Sequence, residues 1–358
     1  MPRVEIPKRN MNTIEKTLLT ANLFEGFWDR WIVHGVEKED LETVRSTIST
    51  KDEWIQSWRS LANQKVFEAK KLAENNRVRE AELNYRKAGL YFQLIQWLIP
   101  EASSEKIYWL NKSMENFHEA DRLNSWKTTY DMLHMGDEIY FGRIRVPSNP
   151  KGVVVIINPL DSTKEELFTY ELDFLEKGFV TLSFDGPGQG QTYAYMGIRG
   201  TKKRWQKFVD LLIDYSVLNF SNLPIYLFGT SSGAAWALYG SCNPKVNKVV
   251  AVSPVFPSSK ITLPDYFMER TRYVLEESNA LPTLDSLDFE KPVLLVHGKQ
   301  DVMVSDEEIH HLYHLLPDGK CYLEYEDEGH CCNFKLPEVR RYATDWFSRN
   351  LENCKRRQ

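Results

Sequence analysis

From Tyr130 onward, short apolar runs that favour β-strands alternate along the chain with helical segments. This alternation is typical of a parallel sheet, because consecutive parallel strands are joined by helices that cross over the sheet. Glu138–Val146 alternates between apolar and polar residues, as an exposed antiparallel strand does, and the other strands are predicted to be buried on both faces. Those runs are Val153–Ile157, Val180–Phe184, Ile225–Phe228, Val249–Val252 and Val293–Val296. The sequence therefore predicts an α/β fold with a mostly parallel, doubly wound sheet.

Helices are predicted between these strands, near residues 163–177, 201–218, 232–240, 305–316 and 337–350. The segment from Pro254 to Pro292 is long and irregular, as insertions that line a binding pocket often are. Within it, Asp265, Tyr266 and Glu269 are the residues that we expect in a pocket wall.

The chain before residue 130 has a different pattern. Apolar residues from Trp54 to Leu72 recur at spacings of three to four, which predicts amphipathic helices, and no strand signal interrupts them. We therefore expect two domains, a helical domain over residues 1–129 and an α/β domain over residues 130–358.

Gly229-Thr-Ser-Ser-Gly233 lies between the predicted strand Ile225–Phe228 and a predicted helix, which is the context of a nucleophilic serine on a sharp strand-to-helix turn. The glycines leave room for the turn, and the amino terminus of the helix favours an anionic intermediate beside Ser231. The G-x-S-x-G pattern alone is weak evidence, so the case depends on its partners.

Asp301 and His330 follow Ser231 in the order Ser, Asp, His. Asp301 comes just after the strand Val293–Val296, and His330 lies in a loop after the apolar segment Cys321–Tyr325. Each residue alone has an ordinary structural explanation. Because all three follow strands in one order, we predict a triad in which His330 is the general base and Asp301 orients it.

An oxyanion hole requires two donors, of which one is expected to be the backbone N–H of Ser232. The second is expected from the loop after Val153–Ile157, which reads Asn158-Pro159-Leu160-Asp161. Pro159 has no N–H, so Leu160 and Asp161 are both candidates for the second donor.

Two further motifs are interpreted as structural. His310 and His314 lie one helical turn apart, but the sequence offers no third metal ligand beside them. Asp185-Gly-Pro-Gly-Gln-Gly190 lacks the Lys-Ser/Thr ending of a phosphate-binding loop and is interpreted as a turn. We therefore expect neither a metal nor a cofactor.

Charge and cysteine content narrow the function classes further. With 45 basic and 50 acidic residues, the chain has no basic footprint for nucleic acid. It has no secretory signal pattern and no apolar run of about 18 residues, so we expect a cytoplasmic protein without a membrane partner. The five cysteines are odd in number and lack C-x-x-C spacing, which favours free thiols.

Several of these segments together resemble a known group of enzymes: Ser162-Thr-Lys-Glu-Glu166, Asp185–Gly190, Gly229–Gly233, His297-Gly-Lys-Gln-Asp301 and Gly329-His330. The group belongs to the α/β hydrolases and includes 2,6-dihydropseudooxynicotine hydrolase, the FrsA-like proteins and fungal polyketide-shortening hydrolases. The resemblance covers nearly the whole chain and is specific in its second part. It implies an α/β-hydrolase fold with an amino-terminal helical cap, a cofactor-free triad and a homodimer built partly through the helices.

The same resemblance implies, in several members, cleavage of a carbon–carbon bond beside a ketone. Two departures bear on that expectation. The group commonly has Gly-Gly before the Ser-Thr-Lys-Glu-Glu segment and Glu after the Asp185–Gly190 segment, whereas this chain has Pro159-Leu160-Asp161 and Gln191. No substrate is therefore carried over from the group.

The sequence supports one leading hypothesis on function and two alternatives. The leading one is hydrolysis of an ester or a β-dicarbonyl in a small carbonyl compound by Ser231, Asp301 and His330. One alternative is a lyase of the same fold that eliminates a small carboxylate in natural-product biosynthesis. The other is a non-catalytic binding or regulatory protein on a hydrolase scaffold, since fold alone does not establish activity.

Overall fold

The amino-terminal part of the molecule is helical. The computed structural model describes residues 11–257 and 263–348. Its first six helices are α1 (Thr13–Leu23), α2 (Asp29–Val33), α3 (Lys38–Arg45), α4 (Lys51–Glu74), α5 (Val78–Leu98) and α6 (Ser104–Arg122). Reciprocal capping boxes at Asn12 and Thr50 fix the starts of α1 and α4. Tryptophans dominate the core of this layer, among them Trp28, Trp54 and Trp58, which are at most 1% exposed.

The remainder is built on one eight-stranded sheet in the order β1-β2-β4-β3-β5-β6-β7-β8. The strands are β1 (Lys127–Met135), β2 (Glu138–Val146), β3 (Val153–Ile157), β4 (Val180–Phe184), β5 (Ile225–Thr230), β6 (Lys248–Val252), β7 (Val293–Gly298) and β8 (Cys321–Tyr325). The strands from β4 to β8 in this order are parallel, whereas β2 runs antiparallel to β1 and to β4. The predicted α/β class and mostly parallel sheet are confirmed.

Helices cover both faces of the sheet, as a doubly wound fold requires. They are α7 (Phe168–Glu176), α8 (Gly190–Met196), α9 (Lys202–Asn219), α10 (Ser232–Gly240), α11 (Asp265–Val274), α12 (Asp306–Leu315) and α13 (Leu336–Ser348). Alternate residues of β3 show the two layers: Val155 packs in the core that contains α9, α10 and α12, and Val154 packs in the core that contains α7 and α13.

Four elements differ from the sequence-based prediction. Strand β1 was not predicted, and it begins at Lys127, three residues before the proposed domain boundary at 130. Helices α8 and α11 were also not predicted, and α11 lies in the segment that was expected to be irregular. The first helix of the α/β part begins at Phe168 rather than near residue 163, because residues 164–167 form turns.

The cysteines require one correction. Cys242, Cys331 and Cys332 are free, as predicted, but Cys321 is disulfide-bonded. Cys354 lies outside the described residues. Among the helices of residues 11–257 and 263–348, none is both long and apolar enough to cross a membrane.

A group of buried charges joins the helical layer to the edge of the sheet. Arg143 on β2 donates two hydrogen bonds to the carboxylate of Glu171 on α7, at 2.7 and 2.8 Å. Arg145 donates to Glu171 at 2.9 Å and to Asp121 on α6 at 2.6 Å. Arg86 on α5 donates to Asp121 at 3.0 Å, and all five side chains are at most 5% exposed. We call these five residues the buried charge network; it fixes α5 and α6 against β2 and α7.

Candidate active site

Ser231 lies on a sharp turn between β5 and α10. Its backbone has φ +55° and ψ −124°, a strained conformation for a residue with a side chain. A Cβ at Gly229 would clash with the carbonyl of Gly233, and a Cβ at Gly233 would clash with the carbonyl of Ile157 on β3. The Ser231 N–H donates to the carbonyl of Val252 on β6 at 2.9 Å. The sheet therefore holds the strained turn and presents the Ser231 side chain at the carboxyl edge of the strands.

Asp301 and His330 reach this edge from the two neighbouring loops. His330 Nε2 lies 2.8 Å from Ser231 Oγ, and His330 Nδ1 lies 2.8 Å from Asp301 Oδ2. The other Asp301 oxygen accepts the backbone N–H groups of Met303 at 2.8 Å and Val304 at 3.1 Å. The structure thus brings together the three residues that the sequence singled out, in the geometry of a nucleophile, a base and an orienting carboxylate.

The electrostatics of the pair favour a charged imidazole. Burial lowers the pKa of His330, but the adjacent Cys331 sulfur and the hydrogen bond to Asp301 raise it more, so that the pKa lies above its ordinary value of 6.5. Burial raises the pKa of Asp301, and the hydrogen bond and charge of His330 lower it to a net value below 3.8. An ionised Asp301 therefore favours the protonated form of the neighbouring His330 imidazole.

Ser253 supports the loop that carries His330. Its side chain is fully buried at the end of β6, and its Oγ accepts the N–H of Cys331 at 3.1 Å. Cys331 and Cys332 have φ of +68° and +48°, so the chain turns sharply directly after His330. Ser253 was not singled out from the sequence, although its place after a buried strand, like that of Asp301, was a usable signal.

The loop after β3 faces Ser231 through Leu160. The Leu160 N–H donates to the side-chain Oγ of Ser232 at 2.7 Å. Gln189 holds the backbone of this loop, because its Nε2 donates to the carbonyls of Asn158 at 3.1 Å and Pro159 at 2.7 Å. The Asp185–Gly190 segment therefore supports the loop, in line with its interpretation as a structural turn.

Asp161, the other candidate donor, directs its side chain away from Ser231. Its carboxylate accepts Trp97 Nε1 at 2.8 Å, and Arg270 on α11 donates to both of its oxygens at 3.0 and 3.2 Å. Its carbonyl accepts Arg30 Nη2 at 2.7 Å. Asp161 thus ties the loop after β3 to α11 and to the helical layer, and its own backbone has φ +65°.

A cavity of about 280 Å³ opens beside Ser231. Its wall consists of apolar residues and uncharged polar residues. They are Leu160, Trp205, Ser231, Ser232, Trp236, Val255, Phe256, Pro257, Leu263, Phe267, Met268, Thr271, Leu275, Ser278, Asn279, Ala280, Leu281 and Met303. Within the described parts of the chain, no charged side chain is among them. The site is therefore built to hold an uncharged group next to the nucleophile candidate.

The segment 254–292 does line this cavity, but through other residues than expected. Phe267 and Met268 on α11 face the cavity. Tyr266 packs against Phe27, and Glu269 binds Lys16 and Thr13 of the helical layer. The expectation for Tyr266 and Glu269 was therefore wrong, because the opposite side of α11 faces the site. Asp265 is also absent from the cavity wall.

Comparisons with known proteins agree with the observed fold. Residues 148–284 match the family model described as serine aminopeptidase, S33. The chain is 28% identical over 338 residues to 2,6-dihydropseudooxynicotine hydrolase of Paenarthrobacter nicotinovorans, covering 89% of this chain and 90% of that protein. The crystal structure of the 2,6-dihydroxy-pseudo-oxynicotine hydrolase superposes with a TM-score of 0.74 at 25% identity, over 89% of this chain and 94% of that one.

The chain has the α/β-hydrolase fold.

It is accordingly an enzyme of the hydrolase class. A fungal relative, the alpha/beta hydrolase ucsC of Acremonium sp, is 24% identical over 251 residues, which cover 61% of this chain and 50% of that protein. The predicted resemblance to the 2,6-dihydropseudooxynicotine hydrolase group and to fungal hydrolases is confirmed, together with the α/β-hydrolase fold.

The hydrolase shows no sign of a metal centre where one was considered. His310 lies 3.7 Å from Glu324 and His311 lies 3.4 Å from Asp285, both on the surface. In residues 11–257 and 263–348, no group of three or more His, Cys, Asp or Glu side chains is arranged to hold a metal ion. His297, by contrast, is fully buried and bonds Asp306 through Nε2 at 2.8 Å, which closes the loop that carries Asp301.

Proposed function

We propose that this hydrolase uses Ser231 as a nucleophile to cleave an ester, or the carbon–carbon bond of a β-dicarbonyl, in a small molecule. The observation that carries the proposal is the hydrogen-bonded chain from Asp301 through His330 to Ser231, with 2.8 Å at each step, at the mouth of an apolar cavity. The similarity to 2,6-dihydropseudooxynicotine hydrolase supports a small-molecule substrate.

The reaction begins when His330 takes the hydroxyl proton of Ser231 as the oxygen attacks the substrate carbonyl. The carbonyl π electrons move to oxygen and give a tetrahedral oxyanion. Collapse of this intermediate expels an alkoxide or an enolate, and His330 returns its proton to the oxygen or the carbon of the leaving group. Water, deprotonated by His330, then attacks the acyl-enzyme; the bond to Ser231 Oγ breaks, His330 returns the proton to Ser231, and the acid is released.

The cavity supports a preference for substrates with a neutral, apolar portion. Its wall combines aromatic side chains such as Trp205 and Trp236 with aliphatic ones, and its described residues offer no countercharge to an ionised group. Burial of an apolar surface contributes roughly 25 cal/mol for each Å², whereas an unpaired charge in such a site is strongly disfavoured. Aryl esters and aryl β-diketones are therefore suitable first substrates.

The remaining expectations from the sequence stay predictions. These are a homodimer, a cytoplasmic location, a role in secondary metabolism and a helical cap domain of residues 1–129 beside a catalytic domain of residues 130–358. Light scattering coupled to size exclusion measures the assembly directly. Limited proteolysis between α6 and β1 (residues 123–126) tests the domain division, since a domain boundary is expected to be cleaved first.

Intact-mass analysis with a fluorophosphonate tests the nucleophile. We expect wild type to gain one phosphonyl adduct on Ser231, and Ser231→Ala to gain none and to lose at least about 10³-fold in turnover. Ser221→Ala is the matched control, because Ser221 is an exposed serine between α9 and β5 that does not line the cavity, and its substitution is expected to leave labelling unchanged. Full turnover by Ser231→Ala would exclude Ser231 as the nucleophile.

Product analysis in oxygen-18 water separates hydrolysis from elimination. Hydrolysis through an acyl-enzyme places one labelled oxygen in the released acid, because water supplies that atom. A released acid without label, together with an unsaturated co-product, would instead support the lyase. Folded protein that neither labels nor turns over any member of the substrate panel would support the non-catalytic alternative.

A further inference from the structure

Ser232 carries a side chain at the point where the oxyanion of the proposed reaction would form. It is the first residue of α10, directly after Ser231, and it lines the cavity together with Ser231 and Leu160. Its backbone N–H is the expected first donor of the oxyanion hole. Its hydroxyl therefore lies close to the expected position of the oxyanion. An oxyanion hole made of two backbone donors would give this hydroxyl no role.

One hydrogen bond, from the backbone of Leu160, positions the hydroxyl oxygen of Ser232. Leu160 N–H donates to Ser232 Oγ at 2.7 Å, a short bond for a backbone donor. Across residues 11–257 and 263–348, Ser232 Oγ accepts this bond and donates to no acceptor. A hydroxyl has one donor and two acceptor positions, so the O–H of Ser232 is left to bond a group in the cavity.

The Leu160 N–H is already used in this hydrogen bond to Ser232 Oγ. The residue before it is Pro159, which has no N–H, and the Asp161 side chain is turned into the interface with Trp97 and Arg270. Gln189 fixes the carbonyls of Asn158 and Pro159, so the loop backbone is held in this orientation. The loop therefore presents its donor to the Ser232 hydroxyl rather than to the cavity.

We propose that the second oxyanion donor of this enzyme is the side-chain hydroxyl of Ser232, oriented by the N–H of Leu160. The inference rests on the proposed function of Ser231. When Ser231 Oγ bonds to the substrate carbon, the carbonyl π pair moves to oxygen, and the new charge accepts two hydrogen bonds, from Ser232 N–H and Ser232 Oγ–H. On collapse the pair returns to form the carbonyl of the acyl-enzyme, and both donors stay protonated throughout.

In this arrangement Ser232 is a catalytic residue because it touches the reacting oxygen, and Leu160 is a positioning residue. The N–H of Leu160 withdraws electron density from Ser232 Oγ and makes its proton a better donor, since consecutive hydrogen bonds polarise one another. The alternative is that Ser232 Oγ merely blocks Leu160 N–H and must rotate away before the reaction. The two arrangements predict opposite effects of removing the hydroxyl.

The test compares Ser232→Ala with Ser232→Thr, which keeps the hydroxyl, and with the control Ser221→Ala, which changes an exposed serine outside the cavity. We expect Ser232→Ala to lose about 10²-fold in kcat with little change in KM, because one donor to the oxyanion is worth 10²–10³ in rate. Phosphonylation of Ser231 by the fluorophosphonate should slow by a similar factor, since the phosphonyl oxygen occupies the same position. Ser232→Thr should stay within about threefold of wild type.

Each other result is decisive as well. An unchanged or faster Ser232→Ala with a normal melting temperature would overturn the inference and return the second donor to a backbone N–H of the loop, that of Leu160 or Asp161. An equal loss in Ser232→Thr and Ser232→Ala would also overturn it, because a retained hydroxyl would then have no effect. Wild type without any adduct on Ser231 would overturn the proposed function itself, and this result is visible before any Ser232 variant is made.

Discussion

The cavity beside Ser231 and the buried charge network are both removed from solvent, but their chemistry is opposite. The cavity wall contains no charged side chain within the described residues, whereas Arg143, Arg145 and Glu171 are fully buried as ions a short distance along the sheet. Buried ions are costly unless they are fully paired, so they fix geometry and do not adapt to a ligand. The comparison indicates that charge holds this architecture together, and under the proposed function the uncharged cavity wall contacts the substrate.

A variant of the charge network should give the largest effect, and it should act on stability. Glu171→Gln leaves Arg143 and Arg145 without their shared carboxylate in a site that water does not reach. Removing one partner of a buried ion pair costs about 3–5 kcal/mol of unfolding free energy. We therefore expect a clearly lower melting temperature and urea midpoint, with KM unchanged at temperatures where the variant is folded.

Glu176→Gln is the matched control, because Glu176 is exposed on the same helix, α7. A surface substitution of this kind should change the unfolding free energy by no more than about 0.5 kcal/mol. If Glu171→Gln were as stable as Glu176→Gln, the charge network would not be a determinant of the fold.

A variant of the cavity wall should give a smaller effect, and it should act on specificity. Phe267→Ala removes an aromatic side chain that faces the cavity. Loss of a buried aromatic contact with the substrate is worth about 1.5–3 kcal/mol, so kcat/KM for an aryl ester should fall by about 10- to 150-fold. The effect should shrink for substrates with a short aliphatic chain, because these do not reach the same contact.

Glu269→Gln, on the opposite side of α11, is the control for this prediction. Glu269 binds Lys16 and Thr13 and does not face the cavity. Its kcat/KM should stay near that of wild type for every substrate in the panel. Equal losses in Phe267→Ala and Glu269→Gln would mean that α11 acts through its placement as a whole and not through its cavity face.

The difference between buried and exposed segments explains how much of the fold could be predicted from the sequence. Strands β3 and β4 have the predicted bounds, because strands buried on both faces are continuous apolar runs. Strand β1 lies at the edge with most of its residues partly or fully exposed, so Lys127–Met135 lacks such a run. Helix α11 was missed because Glu269, Arg270 and Arg272 resemble a surface segment, although Arg270 is buried on Asp161.

The candidate site also contains residues that the sequence predicted and contacts that it did not. Ser231, Asp301 and His330 were predictable because the carboxyl ends of parallel strands meet at one edge, which places the following residues together. The bond from Leu160 to Ser232 Oγ and the pairing of Asp161 with Arg270 depend on side-chain directions across 72 and 109 residues of sequence. No local pattern encodes them, and the inference on the second oxyanion donor rests on them.

The pH dependence of the reaction should show the smallest of the expected effects. No titratable Asp, Glu, His, Lys or Arg is among the described residues that line the cavity, so a pH profile of kcat/KM with a neutral substrate reports the triad. His330 acts as a base only when neutral, and its pKa lies above 6.5 because Cys331 and Asp301 outweigh the effect of burial. We expect kcat/KM to rise with pH and its inflection to lie above pH 6.5.

The variant Cys331→Ala separates the effect of Cys331 on the pKa of His330 from the effect of Asp301. It removes a neighbour that raises the pKa of His330 and leaves the hydrogen bond to Asp301 in place, so the inflection of the profile should move down towards pH 6.5. Cys242→Ala, a free cysteine outside the site, should leave the profile unchanged. Linkage gives an independent check: a raised His330 pKa stabilises the fold fully below pH 6.5, and this contribution is lost as pH rises through the folded pKa. If Cys331→Ala altered neither the inflection nor this loss of stability, the raised pKa would belong to Asp301 alone.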